Sequence, residues 1–348
     1  MQDGMSTKFA VGLAAFAALM SGIAAAQAQG FDASKDYRIN LIIGYEPGGG
    51  YDVYGRFAAQ MLGRHLPGKP TIVPQNMPGA GSLKAANYLY NVAPKDGTAI
   101  GTVNQSIAFM ELLGQKGIQF ESGKFNWIGR MSDVVSLVGV WKTAPVRTIE
   151  DTKTKEVTIA VGGPLSGSVL TVAFLNRLVG TKLKAIAGYT GAQATLAMER
   201  GEIDGSSSLL LPVIKAQDAN WNKPERNIFL LVQTGPARHT DLPDVPLFSE
   251  LGATEEDRKT LAVVSSSDVI GRSLVAPPGL PKERVEQLRR GFDAMMKDPE
   301  AIALAGKMKL DLNPMTGEDL AGIIAQYKEL SPVVVEGIRQ ITGKGDGN

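Results

Sequence analysis

The sequence predicts an α/β protein of two domains with a ligand cleft between them. Predicted strands alternate with predicted helices along the chain, which is typical of mostly parallel sheets covered by helices on both faces. The chain has 348 residues, and chains longer than about 250–300 residues usually divide into two cores. Two glycine-rich turns, each between a strand and a helix, stand about 115 residues apart. We expect these turns to lie on opposite sides of the cleft, one in each domain.

The first strand–turn–helix unit opens the predicted fold. Tyr37–Ile43 alternates and then becomes apolar, as a buried strand does, and apolar residues at helical spacing follow Asp52. Between them, Gly48–Gly50 is a run of three glycines. Glycines let several backbone N–H groups turn into one concavity, and the helix start adds unpaired donors and the positive dipole end. The turn therefore predicts an anion receptor, with a purely structural turn as the alternative.

Nucleotide binding is the first competing interpretation of this turn. The glycines lack G-x-G-x-x-G spacing, and Gln75 and Asn76 stand where an acidic residue would end the second strand. No Lys follows the glycines, so the phosphate loop of nucleotide hydrolases is also excluded. A small anion fits the turn better than a nucleotide.

The next elements bring a second turn and a polar strand end. A strand at Pro70–Pro74 leads to the turn Asn76–Ser82, which opens a helix to about Asn91. The following strand, Thr98–Val103, ends in the polar run Asn104–Ser106. Open α/β sheets bind ligands at the carboxyl ends of their strands, so these side chains are candidate contacts.

The second half repeats the same architecture. Strands are predicted at Val134–Val140 and Val157–Val161, and the second strand runs into Gly162–Ser168, where Ser166 and Ser168 add hydroxyl donors before a helix. Further strands are predicted at Lys184–Ala187, Asn227–Val232 and Ser273–Pro277, and further helices at Ala192–Arg200 and from Pro281, Pro299 and Thr316.

The N-terminus and the composition indicate an exported protein. Lys8 precedes an apolar run to Met20, and Ala26-Gln27-Ala28 forms a small-x-small cleavage site, so residues 1–28 are predicted to be a signal peptide. The net charge is +1 and cysteine is absent, which argues against nucleic acid as a partner and excludes disulfides and thiolate chemistry. We expect a periplasmic protein, cleaved near Ala28 and monomeric.

Six short motifs stand in a fixed order along the chain. They are Pro47–Asp52 with Arg56, Asn76–Ser82, Ala93–Thr98, Gly188–Ala192, Gly201–Asp204 and Leu242–Pro246. Each motif is weak alone, but their order along nearly the whole mature chain is specific. Through these motifs the chain resembles, from Tyr37 to Ile341, the Bug family of extracytoplasmic solute receptors, the substrate-binding subunits of tripartite tricarboxylate transporters.

The resemblance implies a type II periplasmic-binding-protein fold, with two α/β domains and the ligand between them. We expect the first domain at 29–139 plus 272–348 and the second at 140–271. The implied function is capture of a small organic acid or amino-acid-like solute and its delivery to integral-membrane transporter subunits. No cofactor is expected.

The family's contacts fall on the glycine turns of both domains, and the residue pattern adds neighbours at the same turns and strand ends. The candidate ligand-binding residues are Tyr45, Gly48, Gly49, Gly50, Asp52, Ala80, Gly81, Ser82, Asn104, Gln105 and Ser106 in the first domain, and Gly163, Ser166, Gly167, Ser168, Tyr189 and Asp204 in the second.

Several of these residues have a structural alternative. Asp52 and Asp204 stand at turns, where capping is the usual role of Asp. We expect Asp52 to accept first-turn N–H bonds and hold the glycine loop, a role that Asn could fill. Tyr189 fits a core position equally well. Glu46 beside an anion site leaves open a solute that also carries a cationic group.

Other functions fit the sequence less well. A secreted hydrolase could use Ser166 or Ser168, but the turn lacks G-x-S-x-G spacing, and neither His65 nor His239 is placed for a triad. A solute sensor without a transport role is a further alternative. No cluster of acidic residues and histidines has the spacing of metal ligands. We therefore expect a binding protein without catalytic or metal-ligating residues.

Overall fold

A computed structural model describes residues 37–162, 166–189, 191–327 and 335–336. The predicted signal peptide at 1–28 and the candidate residue Gly163 lie outside these residues. The described strands are, in chain order, β1 (Arg38–Ile43), β2 (Thr71–Asn76), β3 (Ala99–Thr102), β4 (Asn126–Ser132), β5 (Ser136–Trp141), β6 (Val157–Val161), β7 (Leu183–Ala187), β8 (Gly205–Leu210), β9 (Ile228–Gln233), β10 (Arg272–Ala276) and β11 (Met315–Thr316).

Helices connect and cover these strands. They are α1 (Gly50–Met61), α2 (Leu83–Asn91), α3 (Ile107–Leu112), α4 (Gly167–Phe174), α5 (Gly191–Glu199), α6 (Leu211–Gln217), α7 (Glu255–Ile270), α8 (Lys282–Lys297), α9 (Pro299–Lys307) and α10 (Gly317–Gln326). Among the described residues, no helix has both the length and the apolar composition needed to cross a membrane.

The strands form two sheets, as the two-domain prediction requires. The first has the order β11-β4-β10-β3-β1-β2 and the second β7-β6-β8-β5-β9. β1 is parallel to β2 and β3, and β6 is parallel to β7 and β8, whereas β10 and β5 are antiparallel to their neighbours. The carboxyl ends of the parallel strands carry the two predicted glycine turns.

Both faces of the first sheet are buried, which explains the apolar end of β1. Alternate residues of β1, namely Ile39, Leu41 and Ile43, belong to the apolar cluster that contains Phe57 of α1 and Phe292 of α8. Ile42 belongs instead to the cluster on the other face, among residues of α2 and α3. The second sheet has its own apolar cluster beneath α5 and α6.

The chain crosses between the sheets twice. It leaves β4 for β5 through residues 133–135 and returns from α7 to β10 at Gly271. Gly271 has φ +51°, and an added Cβ there would lie 2.1 Å from the carbonyl oxygen of Ser132, so glycine lets the two crossing segments touch. The predicted division at 139/140 falls inside β5, and the predicted return at 272 coincides with the start of β10.

Several elements differ from the sequence prediction. β4, α3, α6 and α7 were not predicted, and the strand expected at Val134–Val140 begins at Ser136. The longest of them, α7, packs against α3 and α10 of the first domain and α4 of the second. Because opposite sides of α7 meet different partners, its sequence has no single apolar stripe.

Candidate functional site

The glycine turn after β1 is held in shape by the carboxylate of Asp52, which is 3% exposed. Its Oδ2 accepts hydrogen bonds from the N–H of Gly48 at 2.9 Å and from Nε of Arg56 at 2.9 Å, and its Oδ1 accepts one from Nδ2 of Asn76 at 2.8 Å. Asn76 also donates to the carbonyl oxygen of Tyr45. The loop is therefore fixed at both ends to one buried charge.

This arrangement agrees with the expected hold of Asp52 on the glycine loop and corrects its expected capping of α1. No side chain caps α1, whose N-cap residue is Gly49, and Asp52 binds the loop before the helix instead of the first-turn N–H groups. The Arg56 guanidinium, with the Gly48 and Asn76 donors, lowers the pKa of Asp52 to about 2. Asp52 is thus a positioning residue for the glycine turn, and its oxygens face protein donors.

The turn before α2 has an unusual backbone. Gly79, Ala80, Gly81 and Ser82 all have positive φ, at 142°, 48°, 62° and 79°, a conformation that costs free energy at the non-glycine positions. Ala80 and Gly81 are exposed, whereas Ser82 is fully buried. Oγ of Ser82 accepts a hydrogen bond from the N–H of Asn104 at 3.1 Å. Ser82 therefore fastens this turn to the end of β3.

Replacing Ser82 with Ala should loosen this connection. The part-buried N–H of Asn104 would lose its acceptor, which typically costs about 1–3 kcal/mol of unfolding free energy. Urea unfolding at neutral pH measures the loss, with Ser208→Ala as a control because its Oγ makes no hydrogen bond among the described contacts. Unchanged stability of Ser82→Ala would show that the turn holds its conformation without this bond.

Polar residues after β3 meet two stacked tyrosines. The rings of Tyr45 and Tyr51 lie parallel with centroids 4.4 Å apart. Nδ2 of Asn104 donates to the hydroxyl of Tyr45 at 2.6 Å, and the N–H of Gln105 donates to that of Tyr51 at 2.8 Å. Ser106 is buried, and its N–H donates to Oδ1 of Asn104. The structure therefore brings these predicted first-domain residues into one connected network.

Arg272, the first residue of β10, belongs to this network and was not predicted. Its guanidinium lies 4.2 Å from the centroid of the Tyr51 ring, and its Nη1 donates to Oε1 of Gln105 at 2.8 Å. The sequence carries a weak signal for it, since Arg272 immediately precedes the apolar run of a predicted strand. Its partners are remote in sequence, with Gln105 separated by 167 positions.

A buried carboxylate connects this network to the second domain. Oδ1 of Asp268 accepts a hydrogen bond from Nε2 of Gln105 at 2.7 Å, and Oδ2 contacts Oγ1 of Thr234. The carbonyl oxygen of Ser136 lies 3.0 Å from the same hydroxyl. Because the hydroxyl has one hydrogen, it can donate to only one of these two oxygens. Both contacts are hydrogen bonds if Thr234 donates to Ser136 and a protonated Asp268 donates to Thr234. Burial raises the pKa of Asp268 to about 7.

A cavity of about 510 Å³ lies beside this network, between the two domains. Gly50, Tyr54 and Arg272 line it from the first domain, and Leu210 and Lys215 from the second. The crossing segment between β4 and β5 forms part of its wall. Gly50 is the predicted site residue that reaches this cavity. Its volume suits a small organic molecule.

In the second domain, the two predicted serines bond mainly to their own turn. Oγ of Ser166 and Oγ of Ser168 are 3.0 Å apart, Ser168 accepts from the N–H of Gly162, and Ser166 caps α4 by accepting from Val169. Gly167 is exposed beside them. His65 instead pairs with Asp298, and Nδ1 of His239 accepts from the N–H of Asp241. The described contacts thus contain no serine–histidine pair.

One second-domain prediction needs correction. The carboxylate of Asp204 accepts from the N–H and the hydroxyl of Thr158 at the amino end of β6, whereas the Ser166 turn follows the carboxyl end. Asp204 therefore lies at the opposite edge of the sheet, and its placement in the ligand site is wrong. Tyr189 lines a shallow surface pocket with Leu196 and Arg200, apart from the interdomain cavity.

In the described part of the chain, no group of three or more acidic residues and histidines is arranged to hold a metal ion. The residues around the cleft provide hydroxyl and amide groups and the guanidinium of Arg272. Such groups can hold an anion by hydrogen bonds and charge.

Comparison with known proteins points to solute receptors. Residues 55–338 match the tripartite tricarboxylate transporter family receptors. The "UPF0065 protein in gbd 5'region" of Cupriavidus necator is 26% identical over 339 residues, covering 93% of this chain and 94% of that protein.

Solved structures share the fold. A TctC solute-binding protein from Polaromonas superposes with a TM-score of 0.66 at 20% identity, over 89% of this chain and 99% of that one. An R. palustris protein solved with adipate gives a TM-score of 0.61 at 18% identity, over 88% and 97% of the two chains.

Proposed function

The chain belongs to the tripartite tricarboxylate transporter family of receptors, and from this premise we propose that it binds a small carboxylate-bearing solute between its two domains. As a receptor of this family, it serves a tripartite membrane transporter. The delivered solute, the transporter subunits that receive it and the monomeric state of the receptor are parts of the proposal.

The interdomain cavity next to Gly50 and Arg272 is the observation that carries this proposal. A carboxylate there meets a guanidinium and the start of α1, and both favour negative charge. The fold relative solved with adipate provides a precedent for a carboxylate ligand on this architecture. Within the proposal, Gly50 contacts the solute in this cavity. The other predicted contacts do not line the cavity and stay predictions; they are Tyr45, Gly48, Gly49, Ala80–Gly81 and Asn104 in the first domain and Ser166–Ser168 in the second.

The proposal places the receptor in the periplasm. Family membership supports this location, and the Ala26-Gln27-Ala28 pattern supports cleavage of the leader near Ala28. We do not propose a hydrolase activity. Ser166 and Ser168 bond to each other within their own turn, His65 pairs with Asp298, and His239 accepts from the N–H of Asp241.

A carboxylate should raise the melting temperature of the purified protein. A ligand at 100 times its Kd stabilises the folded state by about 2.7 kcal/mol, which corresponds to roughly 5 °C in a protein of this size. A thermal-shift screen of mono-, di- and tricarboxylates, with the matching amides as uncharged controls, measures this effect. Shifts by amides equal to those by acids would contradict carboxylate recognition, and consumption of a solute would indicate an enzyme.

A further inference from the structure

The guanidinium of Arg272 is held in a fixed orientation where the two domains meet. One face lies on the ring of Tyr51, and Nη1 donates to Gln105. Gln105 is itself fixed, because its side chain also bonds to Tyr51 and Asp268. An arginine that is fixed in this way loses little side-chain entropy when it binds a further partner.

The edge of the guanidinium formed by Nε and Nη2 faces Gly50. The hydrogen bond to Gln105 uses Nη1, the guanidinium also interacts with the hydroxyl of Tyr51, and Arg272 lines the interdomain cavity. A methyl group built on Gly50 would lie 3.6 Å from both Nε and Nη2. The missing side chain therefore leaves the space of about one methyl group beside the edge with which arginine binds a carboxylate through two parallel hydrogen bonds.

The other charged groups of the cavity are engaged elsewhere or exposed. Lys215 pairs with Asp241 and lies 5.0 Å from the centroid of the Trp221 ring, and Lys309 is exposed to solvent. Asp133 accepts a hydrogen bond from Asn313. Arg272 thus combines a cationic group, a fixed orientation and a two-donor edge that faces Gly50.

Much of the remaining cavity wall is apolar. Aliphatic side chains come from the crossing segment, from the junction of β8 and α6, and from the loop after α9. They are Val134, Val135, Leu210, Leu211, Leu310 and Leu312. A second carboxylate placed against these aliphatic groups would have no partner, which is costly. An aromatic or branched aliphatic body would bury apolar surface there instead.

We propose that Arg272 binds the solute carboxylate through its Nε and Nη2 edge above Gly50, and that the preferred solute is a monocarboxylate with an apolar body. This inference rests on the proposed receptor function and adds to it the binding residue and the class of acid.

Calorimetric titration with 3-phenylpropionate tests the role of Arg272. Arg272→Gln should weaken binding roughly tenfold to a hundredfold, because it removes hydrogen bonds to a charged group. Arg272→Lys keeps the charge without the two-donor edge and should fall between Gln and the wild type. Arg290→Gln, which removes an exposed arginine paired with Glu286, is the control and should bind normally.

Gly50→Ala tests the same geometry without changing a charge. Gly50 has no positive φ and begins α1, so Ala is compatible with its backbone and favours the helix. The added methyl group would occupy the space in front of Arg272 and should abolish binding while the melting temperature stays the same or rises. Gly322→Ala, at a helical glycine with open space around it, should leave binding unchanged.

The outcomes separate this inference from the receptor function. Equal affinity of wild type, Arg272→Gln and Gly50→Ala for 3-phenylpropionate would overturn the role of Arg272 and leave a carboxylate receptor. Tighter binding of citrate, succinate or phenylalanine than of 3-phenylpropionate would overturn the solute class. A wild-type protein that binds no carboxylate would contradict both the inference and the proposed function.

Discussion

Replacing Asp268 with Asn should abolish a loss of stability that the wild-type protein shows as the pH rises from about 4 to about 7. The pKa of Asp268 is about 7 in the folded protein against an ordinary value of 3.8, so the native state holds a proton that the unfolded chain has released. The free energy of unfolding therefore falls with rising pH in this window. The full loss on ionisation is on the order of 4 kcal/mol.

The Asn side chain reproduces the hydrogen bonds of the protonated acid. Its oxygen can accept from Gln105, and its NH₂ can donate to Thr234, whose own hydrogen then goes to Ser136. Asp268→Asn should match the wild type below about pH 4 and become increasingly more stable than the wild type as the pH rises, by a few kcal/mol at pH 8. The substitution leaves in place the other ionisable groups that interact with Asp268, which are Arg272, Asp133, Tyr51 and Tyr327.

Denaturant unfolding at a series of pH values measures this effect. Glu256→Gln, which removes an exposed carboxylate of α7, is the control and should keep the wild-type slope. If Asp268→Asn is less stable than the wild type at pH 8, the carboxylate is ionised and stabilised by Arg272 in the native protein. That result would contradict the protonated state inferred from the contacts of Thr234.

Replacing Asp52 should disrupt the glycine loop, and Asn should be no better than Ala. Three protein donors, from Gly48, Arg56 and Asn76, converge on the carboxylate. The Asn amide can accept through one oxygen, and its NH₂ group would face donors. We expect both variants to lose about 2–4 kcal/mol of unfolding free energy at pH 7 and to bind carboxylates more weakly.

The pH dependence of this effect has the opposite sign to that of Asp268. Because the pKa of Asp52 is lowered to about 2, its contribution is present above about pH 4 and is lost as the pH falls through about 2. The difference between wild type and Asp52→Asn should therefore shrink in acid. Asp244→Asn, at an exposed loop residue, is the control. Wild-type stability of Asp52→Asn at pH 7 would restore the capping role expected from the sequence.

The strand–turn–helix units were predictable because their signals are local. The alternation of β1 and the helical spacing of α1 depend only on residues close in sequence. Once the strand and the helix are predicted, Gly48–Gly50 must form the turn between them. By contrast, α7 packs between the domains and has no single apolar face. Thr254 and Asp257 form a capping box at its start, and this motif could have revealed it.

The hydrogen-bond network beside the glycine turn was predictable as far as it depends on strand ends. Asn104 and Gln105 follow β3 and join the glycine turn, as expected from their position. Arg272 could not be found this way, because its partners come from remote parts of the chain. Asp204 was misplaced because it precedes its strand, and the amino end of a strand lies at the edge away from the cleft.

The position of β10 determines the order in which a newly made chain can fold. β10 lies between β3 and β4, and Val275 is paired with Gly101 and Trp127. All described strands of the second sheet fall within residues 136–233, so that sheet can pair while the first still has a gap at its centre. Until residue 276 has left the ribosome, β3 and β4 present unpaired edges, which invite aggregation. The high contact order of this last insertion is expected to slow folding of the first domain, and a slowly folding domain gives an export machinery time to engage the chain.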